Sequence, residues 1–331
     1  MQAITINANS TTPQPAAAKP AVLLSYVTYD PDPVSDIATY LPGWKVVWNG
    51  VQTEDGNYAF IALETATSTY ALAIRGSLPP QDVFDNWDAF ANWVLEDMDV
   101  ITTVSWPYSS IPKAIISNGT NTSFTNLQAM QDSLGSGQTI TEYLNQNVIT
   151  PGKQLIITGH SLGGNIANVY ASYLVSSIAN TNYSLSNLSL LTFAAPAAGN
   201  GAFANDLDAK ITNAWHYHNF NDIVPCFPVC VLVGTVAYQY IPQPDAGAIT
   251  TTIDGVTVSL KEAFLILAGT FYVYGYQQQN RNYFVFNTTL DKDYTSNTMS
   301  DFFQQAGYQH HLQNYAGYLG VTIPNATLVA G

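Results

Sequence analysis

The chain has 331 residues, enough for one large α/β domain or two ordinary ones, and its hydrophobic fraction of 47% supports a buried core either way. Only 10% of the residues are charged, and the net charge of −14 excludes the basic footprint that nucleic acid or an anionic lipid surface would need. Uncharged substrates are not excluded.

Residues 1–19 are rich in Thr, Pro and Ala and read as an extended lead, which leaves 20–331 for the folded part. No basic segment followed by an apolar run marks a signal peptide. Ala21 to Val27 predicts a first helix opened by Pro20, and a short second helix follows up to Tyr40, where Pro42-Gly43 breaks the chain. Trp44 to Trp48, Tyr58 to Leu63 and Tyr70 to Ile74 read as strands, the last two joined by a loop of hairpin length, so the sheet begins antiparallel.

The third strand stops at Arg75-Gly76-Ser77-Leu78-Pro79-Pro80. From Asp82 to Met98 the spacing predicts one helix with Val83, Trp87, Phe90 and Val94 on a single face. Such a stripe serves either a helix resting on a core or a lid that closes over a cleft. Residues 101–123 show no regular pattern, and helices are expected over Phe124 to Gln131 and Thr139 to Asn147, around the Gly135-Ser136-Gly137 break.

Strands and helices then alternate. Gln154 to Thr158, Leu188 to Phe193 and Ala214 to His218 read as strands, with helices from Leu162 to about Ile178 and from Ala202 to Ala209 between them. This order implies right-handed crossovers and a parallel sheet. After Pro228 the pattern weakens, with a hairpin expected at Ile253-Asp254-Gly255-Val256 and a helical stretch from Met299 through Tyr318. The apolar run from Ala263 to Tyr276 falls short of the roughly 18 to 20 residues of a membrane span and reads as a core helix, so no transmembrane segment is expected. No repeat or linker divides the chain, which reads as one domain.

The two cysteines, Cys226 and Cys230, have no matching Cys/His pair and do not form a zinc site; they are either one local disulfide or two small apolar residues. No metal and no cofactor is expected. Few lysines and several N-x-S/T sequons, among them Asn118, Asn121, Asn182 and Asn187, lean towards a secreted or extracytoplasmic protein.

Gly159-His160-Ser161-Leu162-Gly163 is a G-x-S-x-G motif between an apolar strand and a helix. In that context it predicts a nucleophile elbow, with Ser161 exposed on a strained turn and glycines where strand and helix close on each other. A serine nucleophile needs a base, and the chain offers His160, His216, His218, His310 and His311. In α/β-hydrolases the order is Ser, acid, His, which leaves His310 and His311. His160 is expected to face away from the site as a packing residue, and His216 and His218, two apart on a strand, to be structural. The acid should follow the second strand after the elbow, where strand ends gather. Asp222 occupies that place, whereas Asp206 and Asp208 precede it and Asp291, Asp293 and Asp301 come too late.

Gly159 to Gly164, Thr192-Phe193-Ala194-Ala195-Pro196-Ala197-Ala198-Gly199-Asn200, Asn221-Asp222-Ile223-Val224-Pro225 and Leu72-Ala73-Ile74-Arg75-Gly76-Ser77 resemble, in order and spacing, four blocks of the class 3 lipases. The resemblance implies an α/β-hydrolase fold with a mixed, mostly parallel central sheet flanked by helices, and a lid over 78–98. It implies Ser77 and Leu162 as oxyanion donors through their N–H groups, and His310 as the base, because a tyrosine, here Tyr315, follows it by five; His311 is the alternative. The family's N-W after the lid matches either Asn86-Trp87 or Asn92-Trp93, and its H-x-G-F block is degraded to about Ser117-Asn118-Gly119-Thr120. The implied activity is hydrolysis of a lipid or small ester, at a lipid–water interface where the ester is insoluble, by the triad Ser161, Asp222 and His310. Alternatives on the same site are an esterase, a phospholipase A1, a feruloyl esterase or an acyltransferase, and from another class a silent hydrolase-fold binding protein.

Overall fold

The computed structural model describes residues 14–76, 78 and 82–323. Helices α1 (Ala18–Val27) and α2 (Pro33–Tyr40) open it; the Asp32 side chain accepts the Ser35 N–H at the start of α2, with Pro33 in the first turn. Strands β1 (Trp44–Asn49), β2 (Tyr58–Glu64) and β3 (Thr69–Arg75) form the expected antiparallel meander. Next come α3 (Trp87–Asn92), a short antiparallel pair of β4 (Thr103–Ser105) and β5 (Ile115–Ser117), and helices α4 (Asn118–Ala129) and α5 (Ile140–Leu144).

The alternating region is β6 (Leu155–His160), α6 (Leu162–Ser177), β7 (Leu188–Phe193), α7 (Gly201–Lys210) and β8 (Ala214–Asn219). Helix α8 (Cys230–Val236), the hairpin β9 (Thr250–Ile253) and β10 (Val256–Ser259), helix α9 (Leu260–Phe271), strand β11 (Tyr283–Phe286), and helices α10 (Met299–His310) and α11 (Leu312–Tyr318) complete the chain. Among the described residues no helix is long and apolar enough to cross a membrane.

The central sheet has seven strands in the order β1-β2-β3-β6-β7-β8-β11, parallel from β3 onward. Alternate side chains serve its two faces. Leu72, Ile74, Leu155 and Ile157 enter one core, under α4 to α7, while Ala71, Ala73 and Ile156 enter another with α1 and α11. Alanines at 71 and 73 leave room for α1 to lie close, and a buried hydrogen bond of 2.9 Å between the Ser25 and Thr158 hydroxyls crosses that contact. A third apolar cluster lies beyond the strand ends, built from segment 82–100, α8, α9 and α10 around Phe90, Phe227 and Phe264.

Three details depart from expectation, and the choice left open at Cys226 and Cys230 is decided. The 82–98 stretch is not one helix: Asn86 accepts the Ala89 N–H and starts α3 only at Trp87, and a π-helical turn over Trp93–Asp97 ends it. The apolar stripe is nonetheless buried. The 101–123 stretch contains β4, β5 and the first turn of α4, and β11 adds a strand that periodicity does not reveal. Cys226 and Cys230 are free thiols, not a disulfide.

Candidate active site

Strand β6 ends at His160 and α6 begins at Leu162, so Ser161 must turn the chain by itself. It does so at φ 55° and ψ −130°, a conformation that a side-chain-bearing residue adopts only when its surroundings enforce it. The enforcement is close packing. A Cβ on Gly159 would lie 2.3 Å from the Gly163 oxygen, and one on Gly163 would lie 2.2 Å from the Ile74 oxygen. The Ser161 N–H donates to the Phe193 carbonyl at 2.9 Å, which ties the turn to β7.

Helix α10 ends at His310 because His311 leaves helical geometry, at ψ 136°, and caps α11. The break turns the His310 imidazole onto the elbow. The Ser161 hydroxyl donates to Nε2 at 2.8 Å, and the Nδ1 proton is given to Asp222 Oδ2, also at 2.8 Å. Asp222 stands in the loop after β8, fully buried. Its Oδ2 also accepts the Tyr315 hydroxyl at 2.6 Å, and Oδ1 accepts the Val224 N–H at 2.9 Å. Three donors on one carboxylate compensate its removal from water. Asn219, at the end of β8, donates through Nδ2 to the Gln309 carbonyl at 3.0 Å and so fixes the last turn before His310.

His160 does not face away from the site. Its ring lies 4.7 Å from the His310 ring, and its Nε2 is 2.9 Å from the His310 carbonyl oxygen. A carbonyl oxygen only accepts, so Nε2 carries the proton and Nδ1 accepts the Tyr29 hydroxyl at 3.2 Å. Burial, and repulsion from His310 beside it, hold His160 well below the ordinary histidine range, so it stays neutral. Tyr29 gave no sign of this role in the sequence, because nothing links residue 29 to residue 160 except the fold.

The other candidates lie apart. His311 is pushed down to about 4, chiefly by burial, and its Nδ1 finds no partner. His216 and His218, at about 3 and about 4 through burial, bond the Thr192 and Tyr283 hydroxyls at 2.7 and 3.0 Å. Asp206 pairs with Lys210 at 2.7 Å, and Asp208 accepts the Asn280 N–H at 2.8 Å. Ser77 lies outside the described residues. Its neighbour Gly76 abuts the elbow: a Cβ there would stand 2.3 Å from the Leu162 Cβ. Leu162 opens α6, and the first N–H groups of a helix have no acceptor within it.

Ser161 is only 4% exposed, and segment 82–98 packs beside its partner His310. The Phe84 ring lies 6.0 Å from the His310 ring and against Gly307 of α10, and behind it Phe90 and Trp87 pack onto Phe227 and Phe264. A cavity of about 580 Å³ opens elsewhere, beside Leu155 and Ser189 at the starts of β6 and β7. That is the edge of the sheet opposite the strand ends where ligands of open α/β sheets bind.

Solved structures share this fold. The crystal structure of M37 lipase superposes with a TM-score of 0.72 at 22% identity, over 92% of this chain and 91% of that one. The Rhizomucor miehei lipase in a propeptide complex gives 0.50 at 24% identity over 65% and 63%. A triacylglycerol lipase whose catalytic centre is formed by a serine protease triad gives 0.50 at 23% over 64% and 73%. No curated protein matches the sequence significantly. The family model described as Lipase (class 3) matches residues 71–232, the stretch from β3 through the elbow and Asp222 into α8. Over that stretch the chain is similar to the class 3 lipases, which with the shared fold supports its reading as a carboxylic ester hydrolase.

Proposed function

We propose that Ser161 is the nucleophile of this lipase, His310 its general base and Asp222 the carboxylate that holds the imidazole. The unbroken hydrogen-bonded line from the Ser161 hydroxyl through His310 to Asp222 carries this reading. As the ester enters, Ser161 Oγ attacks its carbonyl carbon and gives its proton to His310 Nε2. The imidazolium that forms is stabilised by buried Asp222, and the oxyanion is received by the N–H of Leu162 at the start of α6, with the N–H of Ser77 as second donor. His310 then returns the proton to the departing alcohol. Water, activated by the same imidazole, releases the acid from Ser161. Donors and triad together account for much of the ~8 to 23 kcal/mol by which enzymes lower such barriers.

Segment 78–98 is the lid in this reading, within a single folded domain over 20–331. A buried serine supports it, because no ester reaches Ser161 until Phe84 and Phe90 withdraw. Withdrawal uncovers apolar surface that water disfavours and a lipid phase accepts, which favours acylglycerol at an interface over a soluble ester. The low charged fraction and the sequons support an extracytoplasmic location. Ser161→Ala is expected to lower hydrolysis of emulsified triacylglycerol by on the order of 10⁶ and to abolish labelling by a fluorophosphonate. Hydrolysis that survives the substitution, in folded protein, refutes the assignment.

A further inference from the structure

Like several other stretches of this weakly charged chain, 223–244 and 263–280 contain no Asp, Glu, Lys, Arg or His. They include α8 and all of α9 after its first turn, and the two helices pack side by side. Their inner residues, Val233, Val236, Phe264 and Leu267, are buried in the cluster beyond the strand ends. Exposed residues on these helices and in the turn after α9 are apolar as well: Val231 is 67% exposed, Ile266 52%, Tyr272 76% and Val273 79%. A single exposed apolar side chain is ordinary, but several on two touching elements with no charge between them form a patch that calls for a partner. The stretches are bordered by Asp222, Asp245, Glu262 and Arg281, and at the first turn of α9 Lys261 lies 4.2 Å over the Tyr238 ring while Glu262 caps its own helix.

Charge decides what the partner is. The protein carries −14, so an anionic bilayer and a second copy are both repelled, while an uncharged lipid surface is not. Continuity supports the same answer. Phe264, on the inner side of α9, lies 5.2 Å from Trp87 and 6.4 Å from Phe90 in segment 82–98. The outer face of α9 is thus one helix away from that segment, and a lipid surface resting on it would be held near it.

We propose that the outer face of α8, α9 and the turn after α9, around Val231, Ile266, Tyr272 and Val273, is the surface by which this enzyme docks on uncharged ester lipid, separately from the segment that opens over Ser161. The proposal rests on the lipase reading. It divides the work: α8 and α9 hold the protein at the lipid whether or not the cover has moved, and the cover admits the ester.

The test compares Ser161→Ala protein, which binds without hydrolysing, with the same protein carrying Ile266→Glu and Val273→Glu. Partition onto trioleoylglycerol emulsion is measured by flotation. The double substitution is expected to weaken it by about a hundredfold, since two apolar side chains that lipid would bury are replaced by charges. On the Ser161 background the pair should leave kcat/KM for soluble p-nitrophenyl butyrate within about twofold, as expected for exposed positions. Should the glutamates prevent folding, Ile266→Ser with Val273→Ser carries the comparison, with a loss of about tenfold expected. Unchanged partition in a folded variant overturns the proposal. So does equal affinity of the parent protein for anionic phosphatidylglycerol vesicles, or a dimer on gel filtration that the substitutions dissociate while emulsion binding persists. Absence of all ester hydrolysis by the Ser161 protein would instead strike the lipase reading and leave the binding comparison standing.

Discussion

Gly159→Ala tests whether the contact between β6 and α6 sets the position of Ser161. The added methyl would stand 2.3 Å from the Gly163 oxygen, 2.4 Å from its carbonyl carbon and 2.7 Å from the Gly164 nitrogen. All three are backbone atoms, so no side chain can swing aside. Relief requires α6 to retreat from β6 by roughly an ångström, and overpacking of that kind costs about 3 kcal/mol, at the upper end of the usual range. Ser161 joins the two elements and moves with them. Displacement of a reacting group by about 1 Å lowers kcat by about a hundredfold. Urea denaturation followed by tyrosine and tryptophan fluorescence reads the first effect, and hydrolysis of p-nitrophenyl butyrate at saturation reads the second. Gly317→Ala is the control, since nothing lies within 4 Å of a Cβ there and α11 should gain up to about 1 kcal/mol. If Gly159→Ala were as stable and as active as the parent, the close approach would have no role in shaping the elbow. Lost stability with unchanged kcat would refute the narrower claim about Ser161.

Other consequences follow from single contacts. His160→Leu removes the donor to the His310 carbonyl and should lower kcat by ten- to a hundredfold with KM unchanged, the cost of an orphaned buried acceptor, while His160→Gln, which keeps an N–H, recovers most of it; steady-state kinetics of the pair decide. His216 and His218 are held neutral, at about 3 and about 4 against 6.5 in an open chain, so between pH 6.5 and about 4 the unfolded state takes up protons that the folded state refuses. Their contribution is complete above pH 6.5 and is lost as pH falls through that window, at about 1.4 kcal/mol per unit for each; urea midpoints at pH 5 and 7 should differ less in His216→Gln and His218→Gln. Arg75 donates to the Thr28 carbonyl at 2.9 Å and the Gly56 carbonyl at 3.1 Å, and Arg75→Ala, which orphans both, should cost about 3 kcal/mol in the same assay.

The site was readable where covalent sequence and strand order impose geometry. Ser161 follows from a motif between a strand and a helix, and Asp222 from the rule that ligands meet the ends of parallel strands. His310 needed the family resemblance, since the break after α10 depends on a single dihedral at His311 that no pattern announces. The environment of these residues was less legible. Tyr29 reaches His160 across 131 residues, and its role follows from α1 lying on β6. Helix α4 begins with Asn118-Gly119-Thr120-Asn121, poor helix formers, because Ser117 accepts the Thr120 N–H and the Thr120 hydroxyl donates to Asn165 on α6 at 2.8 Å. Strand β11 is four residues long and lies at the edge of the sheet, too short for alternation to register.

The bond between His160 and the His310 carbonyl sets the size of the smallest portable version of this centre. His160 holds the backbone of His310, so the distance from Ser161 to His310 is gauged from within the turn and does not rely on α10 alone. Grafting the three reacting side chains onto another scaffold would leave that gauge behind. A transplant has to bring the elbow with its histidine, a phenol in the place of Tyr29 to fix the histidine's tautomer, and a helix that ends at the base so that its last carbonyl is free to be held.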